Sequence, residues 1–266
     1  MSNVCWAFAT NGHRAEELFG LVAGEHERIA KEGKTQELSN TCWAFAKVDI
    51  QAEELFNSVA NEHERIARDG KVQHMSNIAL AFAKLDYKSG AAEELFGAIA
   101  GEHERIARDG STQDLSNICW AFAKLGIKAD ELFEAVSGEH WRIAGEGNEQ
   151  AMSNISWAFA KNDCKADKLF EAVAGEHKVI ARDGTTQALS NITWAFAKLG
   201  YNNRQLFESV AGEHERIARD GSPQTWSNTC WAFAKVDISA DELFKAVAAK
   251  HGRIAGDYDV QHLSNI

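Results

Sequence analysis

One histidine recurs in every repeat of this chain, and its spacing calls for a test of metal chemistry. The set is His26, His63, His103, His140, His177, His214 and His251. The string from His26 to Ala30 begins as a His-Glu-x-x-His zinc motif, but alanine stands where the second histidine is required. Equivalent atoms in stacked repeats lie about 10 Å apart, too far to share one ion. We therefore predict buried, hydrogen-bonded histidines with a structural role and no metal site.

Glutamates flank these histidines, as at Glu25 and Glu27, and could be taken for catalytic carboxylates. They recur in most repeats, and Glu27 lies four residues before Lys31, the order that stabilises a helix. A solvated outer face explains them. The sequence also lacks a glycine-rich phosphate loop and any nucleophile–histidine pair with a unique member. We predict that the chain is not an enzyme and has no catalytic residue, no cofactor and no small-molecule substrate.

Three recurring positions carry side chains suited to binding an extended ligand. An asparagine follows each serine of a Ser-Asn pair, a lysine comes seven residues later, and the position three residues before the asparagine varies. The asparagines are Asn40, Asn77, Asn117, Asn154, Asn191 and Asn228; the lysines are Lys47, Lys84, Lys124, Lys161, Lys198 and Lys235; the variable residues are Glu37, His74, Asp114, Ala151, Ala188 and Thr225. Amides donate and accept hydrogen bonds, and lysines hold phosphates. These three sets are the predicted binding residues.

Each of these positions also has a structural explanation. The asparagines could form a hydrogen-bond ladder between repeats, because buried amides must be satisfied. The variable position, which we expect to be exposed, could be surface without constraint. Tryptophans at a fourth position could stack on bases, but we favour a packing ladder because Leu80 replaces one of them and aromatics dominate core energetics. These are Trp6, Trp43, Trp120, Trp157, Trp194 and Trp231.

The elements that position these residues follow from the repetition itself. The Ser-Asn pair recurs every 37 residues, with one spacing of 40, which defines repeats 2–38, 39–75, 76–115, 116–152, 153–189, 190–226 and 227–263 and a stub at 264–266. Such a unit cannot bury its own apolar face and must stack on its neighbours. We predict an all-α, right-handed α-solenoid of seven helix-turn-helix repeats plus a truncated eighth. Because the chain begins and ends inside a repeat, we expect a fragment of a longer protein.

The sequence pattern predicts two helices in each repeat, helix A and helix B. Helix A begins with a capping serine and proline at Ser222 and Pro223, and ends at glycine in two repeats and at Asp or Asn in most others. Its apolar arc faces helix B, its small residues suit a neighbouring helix A, and its polar arc holds the predicted binding residues on the concave side. Helix B carries glycine two residues before its histidine in most repeats, as at Gly101 and Gly212. Mid-helix glycine is costly, so we expect a tryptophan to pack there.

Charge and cysteine content narrow the setting. The net charge is −11, but the A-helix segments from Gln to Lys carry six lysines against two acids, so that −15 falls on the remainder. A basic strip would therefore face inward. Four of the five cysteines occupy one small-residue position, which predicts reduced thiols in a reducing intracellular compartment. No apolar run approaches the length of a membrane span, and we predict no membrane partner.

The helix A signature Gln-x-Leu-Ser-Asn-x-x-Trp-Ala-Phe-Ala-Lys-Leu-Gly is intact at Gln113–Gly126 and Gln187–Gly200. It resembles the octotricopeptide repeat family and its heptatricopeptide, RAP and FAST-kinase-like relatives, whose repeats are helix pairs of about 38 residues. The resemblance covers essentially the whole chain. It implies single-stranded RNA binding through the first helix of each repeat, and a role in RNA stability, processing or translation in a chloroplast or mitochondrion.

Single-stranded RNA is therefore the predicted partner. The alternative is an armadillo-like scaffold that grips a peptide or protein on its concave face. The acidic total favours the scaffold, whereas the two-helix unit and the short period favour the RNA-binding protein.

Overall fold

The computed structural model describes residues 2–250. His251, the end of the seventh repeat and the stub 264–266 lie outside the described residues. Within them the chain is helical and contains no strand, which confirms the predicted all-α repeat fold. The chain divides into two compact units, Met1–Val136 and Ser137–Ile266.

The order of the helices follows the repeats. The first three repeats contain α1 (Ser2–Thr10), α2 (Glu16–Gly24), α3 (His26–Glu32), α4 (Thr35–Lys47), α5 (Glu53–Ala60), α6 (His63–Asp69), α7 (Val72–Lys84), α8 (Gly90–Gly101) and α9 (His103–Asp109). The fourth and fifth contain α10 (Thr112–Leu125), α11 (Asp130–Gly138), α12 (His140–Glu146), α13 (Glu149–Lys161), α14 (Asp167–Gly175) and α15 (His177–Asp183). The last two contain α16 (Thr186–Leu199), α17 (Arg204–Gly212), α18 (His214–Asp220), α19 (Pro223–Lys235) and α20 (Asp241–Ala248).

Each of the first six repeats therefore has three helices, and the prediction of one continuous helix B is wrong for them. The second helix ends just before the histidine, and a seven-residue third helix begins at it, as in α9. The backbone turns at a glutamate such as Glu102, with φ −90° and ψ 20°. Glycines such as Gly101 and Gly212 end the second helix at this turn, and a Cβ added there would meet nothing within 4 Å. The expected packing of tryptophan against these glycines is also wrong.

The histidines stabilise this turn. His63, His103 and His214 lie with Nδ1 3.2–3.3 Å from the carbonyl oxygen three residues earlier, whereas His26 Nδ1 lies 2.9 Å from Ser58 Oγ of the next repeat. These side chains are half-buried rather than buried. The predicted hydrogen bonds are confirmed for these residues, and the prediction that they are buried is wrong.

Helix A has the predicted ends. Ser222 Oγ accepts a hydrogen bond from the Thr225 N–H at 3.2 Å, with Pro223 at the first turn. At the other end Gly126 adopts φ 75° and Asp86 φ 49°, the left-handed conformation that closes many helices.

Within each unit the A helices pack side by side, α1, α4, α7 and α10 in the first and α13, α16 and α19 in the second. The small residues Ser116 and Ala123 are fully buried, as expected for close approach. Phenylalanines join successive repeats: Phe56 of one second helix packs on Phe82 of the next helix A with ring centroids 4.9 Å apart, and Phe170 packs on Phe196 at the same distance. This aromatic ladder forms the core between repeats.

An arginine of the third helix also joins neighbouring repeats. Arg105 Nη1 donates to the Gly70 carbonyl at 2.9 Å and Nη2 donates to the Ala67 carbonyl, while Nε lies 2.8 Å from Glu102 Oε2. Because Ala67 and Gly70 lie at the end of α6, the guanidinium caps the third helix of the preceding repeat. Arg65 and Arg216 make equivalent contacts.

Candidate nucleic-acid interface

The exposed face of helix A carries a fixed set of side chains. At 100° per residue, positions 1, 5, 8 and 12 of the segment from Gln to Lys fall within one narrow arc. In α10 these are Gln113, Asn117, Trp120 and Lys124. The glutamine and lysine are exposed, and the asparagine and tryptophan are half-buried. The same set recurs in α4, α7, α13, α16 and α19, with Leu80 in place of tryptophan in α7. We call this the A-face.

The asparagines of the A-face hydrogen-bond to the neighbouring repeat in the first unit. Asn77 Nδ2 donates to Ser39 Oγ at 3.4 Å, and Asn117 Nδ2 donates to Ser76 Oγ at 3.2 Å. Gln113 Nε2 donates to Asn117 Oδ1 at 2.8 Å. The ladder interpretation is therefore confirmed for these two asparagines. Asn40, Asn154, Asn191 and Asn228 occupy the same half-buried position, and for all six a contact with RNA stays a prediction.

The variable position lies at the third residue of helix A, where its side chain can cap the helix. Glu37 Oε2 accepts from the Lys34 N–H at 2.8 Å, and Asp114 Oδ2 accepts from the Ser111 N–H at 3.1 Å. Ala151, Ala188 and Thr225 are only 1%, 1% and 5% exposed.

The expectation of an exposed variable position is thus wrong for those three residues. The cause is the close packing of the A helices: Ser153 Oγ donates to the Ala188 carbonyl at 3.4 Å, and Ser190 Oγ donates to the Thr225 carbonyl at 3.3 Å. Glu37 is exposed, and His74 and Asp114 are half-buried. These three retain side-chain surface for a ligand.

The lysines of the A-face reach solvent. Lys47, Lys84, Lys124, Lys161 and Lys235 are exposed, and Lys198 is half-buried. Partial burial and the nearby positive charge of Lys47 lower the pKa of Lys84. Lys198 Nζ lies 3.0 Å from Asp163 Oδ1 and 5.3 Å from the centroid of the Trp194 ring. The lowered pKa of Lys84 indicates that its charge and that of Lys47 repel each other. An anion bound between the two lysines would relieve that repulsion.

The tryptophans belong to the A-face rather than to the core. Trp6 is 47% exposed, and its ring centroid lies 6.4 Å from that of Trp43 with a 33° angle between the planes. The prediction of a packing ladder holds only in part, because the rings of Trp6 and Trp43 meet but part of each indole in the set faces solvent. The sequence did carry a signal for this, since each tryptophan from Trp43 to Trp231 in this set lies three residues after the asparagine and four before the lysine.

Sequence comparison identifies the family of the chain. A family model of the RNA-editing substrate-binding complex 6 protein, RESC6, matches residues 1–162 and, in a second overlapping match, residues 142–266. The chain belongs to the RESC6 family. This is a helical, RNA-associated family, and the resemblance found in the sequence is confirmed at that level. No curated protein is significantly similar to the chain in sequence.

Other kinds of site find no support in the part of this RESC6-family chain that the structure describes. No group of three or more His, Cys, Asp or Glu side chains among residues 2–250 could hold a metal ion. No helix in the same residues is both long and apolar enough to cross a membrane. The A-face is therefore the strongest candidate site of the described chain.

Proposed function

We propose that this member of the RESC6 family binds single-stranded RNA along the A-face of both units. The observation that carries the proposal is the repeated set of an amide, an indole and a lysine on one exposed arc of helix A. Amides hydrogen-bond to base edges, aromatic rings stack on bases, and lysines neutralise phosphates. These three groups together suit single-stranded RNA, and α4, α7, α10, α13, α16 and α19 each supply them once, except that Leu80 replaces the indole in α7.

The charge distribution supports the same surface. The chain is acidic overall, yet lysines dominate the A-face. In the first unit Lys47 and Lys84 are close enough for one to lower the pKa of the other. A phosphate bound beside them would remove this repulsion and release counterions, which favours binding at low salt.

The cellular role follows from the family. Its name refers to an RNA-editing substrate-binding complex, which supports a non-catalytic protein that holds RNA together with protein partners. We propose an organellar role in RNA processing, stability or translation, and the mitochondrion as the organelle, because RNA-editing complexes of this kind are mitochondrial. A relationship to octotricopeptide repeats is part of this proposal.

The test compares lysines on and off the A-face. One variant replaces Lys84, Lys124 and Lys161 by alanine; the control replaces Lys31, Lys168 and Lys178, which are exposed on second and third helices. Binding of a fluorescein-labelled RNA of random sequence is measured by anisotropy between about 50 and 200 mM salt. Each phosphate contact on a single strand contributes about 0.7 to the slope of log K against log salt. The slope for the A-face variant, which lacks three lysines, should therefore be smaller in magnitude than that of the wild type by about 2.

The control variant should bind like the wild type. Equal slopes for wild type and the A-face variant would contradict the proposal. So would a wild-type chain that captures extended peptides but not RNA, which would favour the armadillo-like scaffold.

A further inference from the structure

A groove in the first unit is lined by amide, imidazole and indole side chains. It has a volume of 530 Å³ and lies over the first turns of α1, α4 and α7. The side chains that matter most are Trp6, Gln36, Asn40, Gln73, His74 and Asn77. Its volume is in the range of small-ligand sites, which is about 300–1,000 Å³.

None of the described residues that line this groove carries a carboxylate, which is unusual in so acidic a chain. By contrast, the groove beside Arg105 is lined by Asp69, Asp109 and Asp114, and the one beside Arg28 by Glu32 and Glu37. A carboxylate would repel the phosphates on either side of a bound base. Of these three grooves, the one at His74 is therefore the one suited to part of an RNA strand.

His74 supplies a hydrogen-bond donor of known identity. Its Nδ1 lies 3.3 Å from the Lys71 backbone N–H, which can only donate, so Nδ1 accepts and the ring proton of the neutral form lies on Nε2. The Thr35 hydroxyl lies 3.1 Å from the same nitrogen. Partial burial and the Lys71 charge lower the pKa of His74. At neutral pH the imidazole is thus uncharged, with Nε2–H as its donor.

The amides around His74 add paired donors and acceptors. Asn and Gln present N–H and C=O side by side, a geometry that matches the N6 amino group and N7 of adenine. The Trp6 indole, 47% exposed, offers a flat apolar surface of the kind on which unstacked bases pack. The other described repeats have Glu37, Asp114, alanine or threonine at the position of His74, so this combination belongs to this groove.

We propose that this groove binds one nucleobase turned out of the RNA strand, with adenine preferred. The proposal rests on RNA binding along the A-face and adds a position at which that binding selects a base. The amides form hydrogen bonds with the base edge, His74 donates through Nε2–H, and Trp6 packs against the ring. The remaining repeats contribute affinity without this preference.

The test uses the full chain and two RNAs that differ by one base. One is an oligouridylate of about twelve nucleotides, within the span that such platforms cover, and the other carries a single central adenosine. The wild type should bind the adenosine-containing RNA roughly tenfold more tightly, as one direct readout contact provides. His74→Asp introduces the residue that stands at the equivalent position as Asp114, where a carboxylate accepts a hydrogen bond from the backbone N–H three residues earlier. It should reduce the ratio of the two affinities to about one.

A second variant, Asn40→Leu, should reduce the same ratio, whereas Asn191→Leu at the equivalent position of the second unit should leave it unchanged. If the wild type binds both RNAs equally, or if His74→Asp and Asn40→Leu keep the wild-type ratio, the inference is overturned while RNA binding stands. If the wild type binds neither RNA, both proposals fail.

Discussion

Replacing Arg105 should weaken the first unit far more than replacing an exposed arginine of the same helix. Its guanidinium donates to the Gly70 and Ala67 carbonyls of the preceding repeat and pairs with Glu102. The Arg105 side chain is 26% exposed, whereas Arg108, which pairs with Asp109, is 68% exposed. Arg105→Met keeps the apolar stem and removes the hydrogen bonds, and Arg108→Met is the matched control.

The magnitude follows from the two bonds between repeats. A hydrogen bond from a charged donor contributes about 1.5–3 kcal/mol, so two give roughly 3–6 kcal/mol. Part of this is recovered, because water can reach carbonyls at a partly exposed helix end. We expect Arg105→Met to lower the free energy of unfolding by roughly 2–3 kcal/mol, and Arg108→Met to leave it unchanged.

The fifth repeat lacks the capping arginine, so the opposite substitution can be made there. Val179 stands where the other described repeats have arginine, although Glu176, the counterpart of Glu102, is present. The end of α12 in the preceding repeat therefore lacks this arginine cap. Val179→Arg should supply it and raise stability, the opposite sign to Arg105→Met.

The assay combines urea unfolding with hydrogen–deuterium exchange, because long repeat arrays can unfold in parts. Arg105→Met should lower the urea midpoint and speed exchange in α6 and α9 without affecting α18. Equal midpoints for Arg105→Met and Arg108→Met, with no local change in exchange, would refute the reasoning. An unchanged midpoint for Val179→Arg would weaken it further.

Two further predictions concern titration and thiol reactivity. Because burial lowers the folded-state pKa of His74 below its ordinary value, the unfolded chain binds the proton more readily, and stability falls as the pH drops through about 6.5. Between about pH 7.5 and 5.5, the urea midpoint of the wild type should therefore decrease more than the midpoint of His74→Gln. Equal decreases would contradict this prediction. Burial raises the pKa of Cys42 to about 12 and that of Cys230 to about 11, so iodoacetamide should first label the half-buried Cys164 in the native chain. Peptide mass spectrometry showing early labelling of Cys42 would contradict the buried core.

The repeat architecture could be predicted because each unit repeats its apolar pattern and its helix A boundaries. Ser222 and Pro223 mark a helix start, and Gly126 marks an end. The break before each histidine could not be predicted so easily. It falls at a glutamate such as Glu62, with φ −89° and ψ 18°, and neither proline nor a left-handed glycine marks it. The arginine contacts could not be predicted either, because their acceptors belong to another repeat.

The polar side of helix A could be predicted from its spacing, but the role of individual positions could not. The spacing places Asn117 on the correct face, yet its bond to Ser76 depends on how closely two A helices approach. The same approach buries Ala188 and Thr225, which the sequence alone suggests are exposed. For Trp120 the sequence favours packing, because aromatic residues usually pack in cores, whereas the side chain is half-buried on the A-face.

The most direct test of RNA binding along the A-face is photocrosslinking. The full chain is irradiated with an oligouridylate that contains 4-thiouridine, and the modified peptides are identified by mass spectrometry. The proposed interface predicts adducts in A helices such as α10 and α13, at or beside Trp120 and Trp157. Adducts confined to second and third helices such as α14 and α15, or no adduct at all, would contradict it.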